Sequence, residues 1–253
     1  MIARVRVLES RRVTPTVRSV RFEKPAGFDF APVQFCGLEI STRRGPIEYP
    51  MSLACSPTRP YLEFGARISG TPWKEAFASL EPGEDAEIDG AYGHFVLAER
   101  SPAVLVAGGI GITPLKGMAE YAADRQLPIE VRLVYVNRDE TEIAYRPELE
   151  ELAGQNPRFT LQHTLTRVPD GSSWSGRRGR IDAELLTHAS RGLSSPVYYV
   201  CGAPGMVDDA CRTLQGLGVG SDRIRFEVFL GYGWHRSRSD ARGTVGSGDR
   251  IRS

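Results

Sequence analysis

The fold is decided by the stretch Val104-Leu105-Val106-Ala107-Gly108-Gly109-Ile110-Gly111-Ile112-Thr113-Pro114. The apolar residues predict a buried strand, the glycines a turn, and the Thr-Pro pair the start of a helix. Glycine adopts positive φ and has no Cβ, so Gly108, Gly109 and Gly111 allow a pyrophosphate to approach the backbone closely. We predict Thr113 as the N-cap and Pro114 as the first helical residue, which directs unpaired N–H groups toward that anion.

A glycine turn of this kind has two interpretations. Many α/β folds need one only for packing, and Pro114 stands where the third glycine of the Rossmann fingerprint would fall. A second turn, Gly202-Ala203-Pro204-Gly205-Met206, follows the apolar run Tyr198-Tyr199-Val200-Cys201. In a parallel sheet both turns lie at the carboxyl ends of strands, the edge where ligands bind. We therefore expect the two turns to face one dinucleotide.

The rest of the sequence shows two kinds of pattern. Before Pro102, short alternating segments end in Gly or Pro and predict a small antiparallel β-barrel. After it, apolar strands alternate with helical patterns and predict a parallel sheet covered by helices. We expect two domains, a barrel at 1–100 and an α/β domain at 101–234, then a disordered arginine-rich tail at 235–253. The predicted strands are 13–22, 33–41, 61–68, 85–89, 103–107, 129–135, 159–165 and 197–201, and the predicted helices are 115–124, 147–152, 182–188 and 206–217.

Composition excludes several classes of partner. The formal net charge is +1, from 32 basic and 31 acidic side chains, so no overall field attracts nucleic acid or a membrane. The four cysteines have no paired spacing that would hold zinc or an iron–sulfur cluster, so we expect free thiols and no metal. The sequence shows neither a signal core nor an apolar run long enough to span a bilayer, and we predict a cytoplasmic protein. The cysteines are Cys36, Cys55, Cys201 and Cys211.

With these motifs the chain resembles the ferredoxin–NADP reductase superfamily, whose second domain carries a Gly-Gly-x-Gly-x-Thr-Pro turn and a later Cys-Gly-Pro-x-x-Met turn. The second turn here has one residue more before the proline. Similar barrel and last-strand landmarks are Gln34-Phe35, the run Asp89 to Phe95, and Ile224 to Phe229. The resemblance implies an FAD-binding antiparallel barrel followed by an NAD(P)-binding α/β domain, with flavin and nicotinamide meeting in the cleft between them.

The flavin half departs from the family pattern. The family motif is Arg-x-Tyr-Ser, whereas this chain has Tyr49-Pro50-Met51-Ser52. Loss of the guanidinium that would hold the flavin pyrophosphate forfeits about 1.5–3 kcal/mol unless another cation substitutes. Arg67 and Lys74 are candidates, although both also fit solvated surface cations. The candidate FAD-binding residues are Tyr49, Pro50, Met51, Ser52, Arg67, Ile68, Ser69, Thr71 and Lys74.

The resemblance also implies residues for the nicotinamide side. Ser52 and Glu227 would lie near flavin N5 and Cys201 near the nicotinamide, as the candidate catalytic residues. Cys201 also fits a small buried residue, and Glu227 an exposed strand carboxylate. The candidate dinucleotide-binding residues are Gly108, Gly109, Gly111, Thr113, Pro114, Cys201, Gly202, Pro204 and Met206, with Arg138 and Arg167 as further cations.

Two features of the site stay open. Phe229, Tyr232 or Trp234 would cover the flavin face, or would simply pack the chain end. Thr166-Arg167 would receive a 2′-phosphate if the cofactor is NADP, and the sequence does not choose between NAD and NADP.

Hydride transfer between nicotinamide and flavin needs no general base, so the protein's task is to align two rings and exclude water. We predict an FAD-dependent NAD(P)H oxidoreductase. Without cluster-binding cysteines in the chain, its electrons would go to a separate acceptor, a ferredoxin-like protein or a partner subunit. Two alternatives are a reductase of free flavin or small molecules, and a flavin-free module that binds a nucleotide or a protein.

Overall fold

The computed structural model describes residues 1–229, and its first half is one antiparallel sheet. The strand order is β4-β3-β6-β1-β2-β5. The predicted tail, Tyr232 and Trp234 lie outside the described residues. The elements of this half are β1 Ile2–Arg12, β2 Val17–Glu23, β3 Phe35–Thr42, β4 Gly45–Ser52, β5 Tyr61–Arg67, α1 Pro72–Ser79 and β6 Asp85–Tyr92.

The two edge strands of this sheet come together and close it into a barrel. Leu53, directly after β4, forms an isolated antiparallel bridge with Phe64 of β5, and Ala54 N donates to Glu63 O at 2.8 Å. Helix α1 packs on this barrel through Trp73 and Phe77, which are buried in the barrel core and stack on each other with ring centroids 5.1 Å apart. Trp73 Nε1 donates to Leu38 O at 3.0 Å, so the buried indole is also satisfied as a donor.

The second half is a parallel sheet with strand order β10-β9-β8-β7-β11-β12. Helices cover both faces, which is why β7 is apolar throughout rather than alternating. The order reverses between β7 and β11, which makes this point the switch point of the sheet. The elements are β7 Ala103–Gly108, α2 Ile112–Asp124, β8 Val131–Asn137, α3 Arg146–Gln155, β9 Phe159–Leu165, β10 Arg177–Arg178, α4 Ala183–Ser190, β11 Val197–Gly202, α5 Pro204–Gly216 and β12 Ile224–Val228.

The predicted architecture, an antiparallel barrel followed by a helix-covered parallel sheet, is confirmed. Four elements were not predicted, namely β1, β4, α1 and the short β10. The predicted strand 13–22 is wrong at its start, because Thr14 Oγ1 accepts from Thr16 N and Val17 N and turns the chain between β1 and β2. Strand β6 ends at Tyr92 and β7 begins at Ala103, while the exact domain limits stay predictions.

The predicted start of α2 is also wrong. A 3₁₀ turn at Gly109–Gly111 precedes the helix, Ile112 N donates to the carbonyls of Gly109 and Ile110, and the N-cap is Gly111 without any side-chain cap. Thr113 lies inside the first turn, where its Oγ1 donates to Ile110 O at 3.0 Å, and Pro114 is the third helical residue. The tight turn therefore replaces the side-chain cap that the Thr-Pro pair suggested.

Candidate functional site

The two glycine turns pack directly against each other at the switch point. A Cβ on Gly111 would clash with the Cys201 carbonyl, and a Cβ on either Gly108 or Gly202 would clash with Met206 Cε. Contacts within the protein thus require glycine at position 111, where the clash is with backbone, whereas at Gly108 and Gly202 the clash is with the flexible end of the Met206 side chain. Gly109 is different because its φ is +53°, and among residues 1–229 a Cβ there would find only Arg67 Nη2 within 4 Å, at 3.6 Å. The turn therefore keeps one glycine whose surroundings leave room for a ligand.

Strand β8 contributes two residues to this edge that were not predicted. Tyr135 is fully buried, and its hydroxyl donates to Gly109 O at 3.0 Å, which supports the turn from below. Asn137 ends β8 with 4% exposure, and its side-chain amide finds no hydrogen-bond partner among residues 1–229 beyond an interaction with the Tyr135 side chain. A buried amide with unused hydrogen-bonding groups costs about 1–3 kcal/mol, which suits a role in binding a ligand. A polar residue at the carboxyl end of a parallel strand was the available signal.

Cys201 and Glu227, two of the candidate catalytic residues, lie side by side. They are direct partners in the register of β11 and β12. Burial raises the pKa of Glu227 to about 7, and its Oε2 is buried without a hydrogen-bond partner among the described residues. Burial, with Glu227 nearby, raises the pKa of the Cys201 thiol well above its ordinary value. At neutral pH the site therefore holds a neutral thiol beside a carboxyl group that exchanges a proton.

The strand that replaces the family's flavin motif is packed into the barrel. The Tyr49 ring lies 5.1 Å from the Trp73 ring, centroid to centroid, at an interplanar angle of 30°. Met51 belongs to the barrel core, Pro50 pairs with Gly37, and Ser52 ends β4 in a buried position. The strand thus presents its retained serine at the point where β4 leaves the barrel.

The two candidate cations occupy different places. Thr71 is the N-cap of α1 and accepts from Lys74 N at 3.4 Å, while Lys74 Nζ donates to Ser69 Oγ at 3.2 Å. These three side chains converge at the positive end of α1, which suits an anion. Ile68 packs on the barrel core.

Arg67 turns toward the other half of the molecule. Its Nη1 donates to Glu142 Oε2 at 2.6 Å and to Thr16 Oγ1, and its Nη2 lies beside Gly109. The guanidinium is therefore an ion-pair partner of the α/β half at the glycine turn, rather than a solvated surface cation.

The remaining predicted residues line the same sheet edge. Arg167 N donates to Arg138 O at 2.7 Å, so the segments after β8 and β9 run together. Pro204 is the first residue of α5, and Phe229 N donates to Gly202 O at 2.9 Å. Phe229 thereby follows the second glycine turn closely.

The four cysteines carry free thiols, as predicted. Within residues 1–229, no three His, Cys, Asp or Glu side chains are grouped to hold a metal ion. In the same part of the chain, every helix is too short or too polar to cross a bilayer.

Comparison with known proteins places these features in context. A family model, the oxidoreductase NAD-binding domain, matches residues 105–212. The chain is 32% identical over 237 residues to ferredoxin–NADP reductase B of Sorangium cellulosum, covering 88% of this chain and 96% of that protein. It is 27% identical over 233 residues to the glycine betaine monooxygenase reductase subunit of Pseudomonas aeruginosa, covering 89% of this chain and 63% of the subunit. A ferredoxin NADP⁺ reductase from Neisseria gonorrhoeae, solved with bound FAD and NADP, shares the fold with a TM-score of 0.77 at 24% identity, covering 90% and 98% of the two chains.

Proposed function

The chain belongs to the ferredoxin–NADP reductase superfamily, and we propose that it is an FAD-dependent NAD(P)H oxidoreductase that delivers electrons to a separate acceptor. The observation that carries this proposal is the junction of the two glycine turns beside the buried Cys201 and its half-buried neighbour Glu227. That junction lies at the switch point of a parallel sheet, where dinucleotides bind. It also adjoins a barrel that carries the serine of a flavin motif.

The barrel supplies the flavin site in this proposal. Ser69, Thr71 and Lys74 at the start of α1 hold the flavin pyrophosphate, with Lys74 replacing the arginine of the family motif. Tyr49, half-buried on β4, gives an apolar surface, and Ser52 offers a hydroxyl at the end of this strand. When bound, the flavin would accept a hydride from the nicotinamide and release electrons one at a time.

The parallel sheet supplies the nicotinamide site. The pyrophosphate lies against the backbone at Gly109. Arg67 provides the nearby positive charge, which it divides between the pyrophosphate and its ion-pair partner Glu142. Asn137 gains hydrogen bonds to the dinucleotide that it lacks within the protein. Arg138 and Arg167 lie farther along the same edge and are the cations that would contact the adenosine end, including a 2′-phosphate.

Glu227 handles protons in this proposal. Its pKa of about 7 means that the carboxyl group both releases and takes up a proton near neutrality. The neutral Cys201 thiol beside it keeps the nicotinamide pocket apolar, which excludes water. Cys201 thus helps to exclude water from the pocket, and Glu227 supplies its one exchangeable proton.

The acceptor is proposed as a separate protein, either a ferredoxin-like carrier or a partner subunit. Support comes from the Pseudomonas aeruginosa relative, which is named as the reductase subunit of a monooxygenase and is longer than this chain. No four cysteines with cluster spacing occur in the sequence.

Spectroscopy of the purified protein tests the proposal. We expect a yellow protein with a flavin band near about 450 nm, bleached under anaerobic conditions by NADH or NADPH. Comparing the two reductants at equal concentration decides between NAD and NADP. A colourless protein that takes up no added FAD would contradict the proposal and favour the flavin-free module, for which the packing of Tyr49 on Trp73 is the specific observation.

A further inference from the structure

A buried ionic cluster joins the barrel to the parallel-sheet half. Lys116 of α2 is 1% exposed, and its Nζ lies 2.9 Å from Glu63 Oε2 of β5 and 2.7 Å from Glu120 Oε1. The same ammonium donates to the carbonyl of Ala54 at 2.9 Å. Lys116 thus contacts two separate segments of the barrel, one at Glu63 and one at Ala54.

Glu63 receives further partners from the barrel. Its side chain is fully buried, Ser19 Oγ donates to Oε1 at 2.8 Å, and Arg11 and Arg21 each approach Oε1 at 3.4 Å. Arg11 also pairs with Glu148 of α3. The cations lower the pKa of Glu63, and the carboxylates raise that of Lys116, so both are charged at neutral pH.

The backbones are in close contact around this cluster. A Cβ on Gly117 would lie 2.9 Å from the Cys55 carbonyl. A Cβ on Gly65 would clash with Tyr145 Oη, and Tyr145, held at a φ of +59°, places its ring 5.1 Å from Lys116 Nζ. The interface therefore allows little sliding of one half on the other.

A buried ion pair is weak evidence for stability, because well-packed apolar residues of similar volume are often as stable. Its directional contacts do specify geometry, however. Ala54 follows Ser52 by two residues, and α2 begins directly after Gly111. The ammonium therefore connects the end of the flavin strand to the helix that starts at the dinucleotide turn.

We propose that Lys116 is a positioning residue that, through Glu63 and Ala54, sets the distance between the flavin strand and the glycine turn. The proposal rests on the proposed function, since the two sites matter to each other only if a hydride passes between them. Lys116 touches neither ring; it acts through the relative placement of β4 and α2.

The test is the double variant Glu63→Gln/Lys116→Met, which removes both charges without leaving one of them unpaired. We expect its thermal midpoint to stay within about 5 °C of the parent. Affinities for FAD and nicotinamide should change less than about 3-fold, because no binding residue is altered. The rate of flavin reduction at saturating NAD(P)H should fall about 10- to 100-fold, since small misplacements of reacting groups are costly.

The matched control is Arg146→Met/Glu150→Gln, which neutralises an exposed pair on α3 that is not part of the cluster. It should leave the reduction rate unchanged. If Glu63→Gln/Lys116→Met does not fold, Glu63→Gln alone, which keeps Lys116 beside Glu120, takes its place with the same expected loss of rate. An unchanged reduction rate in whichever folded variant is measured would overturn the proposal.

Amide hydrogen exchange supplies a readout that does not depend on activity. In the double variant, exchange should speed up about 10-fold in residues 53–56 and 112–117 and stay constant elsewhere. Unchanged exchange in these two segments would overturn the proposal. A parent protein that NAD(P)H does not reduce would instead contradict the proposed function, while the exchange measurement would still decide whether Lys116 holds the two halves together.

Discussion

The glycine turn after β7 and the flavin strand β4 differ in what makes the binding site: the backbone in the turn, and side chains in the strand. In the turn, the backbone itself makes the site, and Gly111 is required because a Cβ would clash with the Cys201 carbonyl. In β4 the site depends on side-chain charge, and Tyr49 and Met51 provide none. A backbone site tolerates few changes of residue, whereas a charge can move to another element. Lys74 on α1 is the proposed example of such a move.

Gly111→Ala is expected to have the largest effect, because it places a methyl group where the two glycine turns pack against each other. The new Cβ would meet backbone rather than a flexible side chain, so the free energy of unfolding should fall by about 3 kcal/mol. NADH- and NADPH-dependent flavin reduction should be lost as well. Chemical denaturation and stopped-flow spectroscopy measure the two effects.

Gly205→Ala is the matched control for this change. A Cβ at Gly205 finds no atom of the described part of the chain within 4 Å, and the residue lies in the first turn of α5. We expect wild-type stability and reduction. Equal tolerance of alanine at Gly111 and Gly205 would show that the packing of the two turns is not needed.

Lys74→Gln tests the flavin side. Loss of a charge-assisted contact to a phosphate is expected to weaken FAD binding about 10- to 100-fold, which corresponds to about 1.5–3 kcal/mol. Fluorescence titration of the apoprotein with FAD measures it. Arg67→Gln should leave FAD affinity nearly constant and weaken nicotinamide binding, because Arg67 lies beside Gly109. A reversed result would assign Arg67 to the flavin and contradict our division of the two cations.

Glu227→Gln tests, by the pH dependence of stability, the carboxyl group proposed to lie between the flavin and nicotinamide sites. The native pKa of about 7 lies above the ordinary 4.5, so the native state holds its proton over a range in which the unfolded chain has lost it. This contribution to stability is therefore full below pH 4.5, declines as pH rises through this range, and is lost above about pH 7. The glutamine variant should lack this decline, which amounts to about 1–3 kcal/mol.

The kinetic counterpart is an ionisation near pH 7 in the rate of flavin reduction. It should be absent in Glu227→Gln. The measurements are thermal unfolding and anaerobic reduction from pH 5 to about 8. Identical pH profiles for the two proteins would show that Glu227 does not titrate in this range.

Asn137→Leu is expected to have the smallest effect, and it tests whether the amide at the edge of the glycine turn binds the dinucleotide. Because the amide has no partner among residues 1–229 beyond the Tyr135 side chain, its removal should leave the thermal midpoint unchanged or raise it slightly. The KM for the nicotinamide cofactor should rise about 5-fold if the amide binds the dinucleotide. A lower midpoint with unchanged KM would make Asn137 a purely structural residue.

Much of the architecture was predictable because it depends on periodicity. The apolar run before Gly108 and the alternation in the first hundred residues predicted a parallel sheet and a barrel, as observed. The start of α2 was not predictable, because the 3₁₀ turn satisfies the Ile112 N–H through backbone carbonyls. Asn137 was missed although a polar residue at the carboxyl end of a parallel strand was a signal. Tyr135 was missed because no local pattern separates a strand residue that meets a distant turn from one that does not.

By itself, the sequence determined the family, the two sheets and the two glycine turns, because local residue types and spacing encode them. Only the tertiary structure decided that the glycines serve packing between the turns, that Arg67 pairs with Glu142 at Gly109, and that Lys116 is buried between the halves. The physical reason is that these contacts join residues far apart in the chain. Burial and distance between such residues follow from how the sheets and helices pack, which no local window of sequence contains.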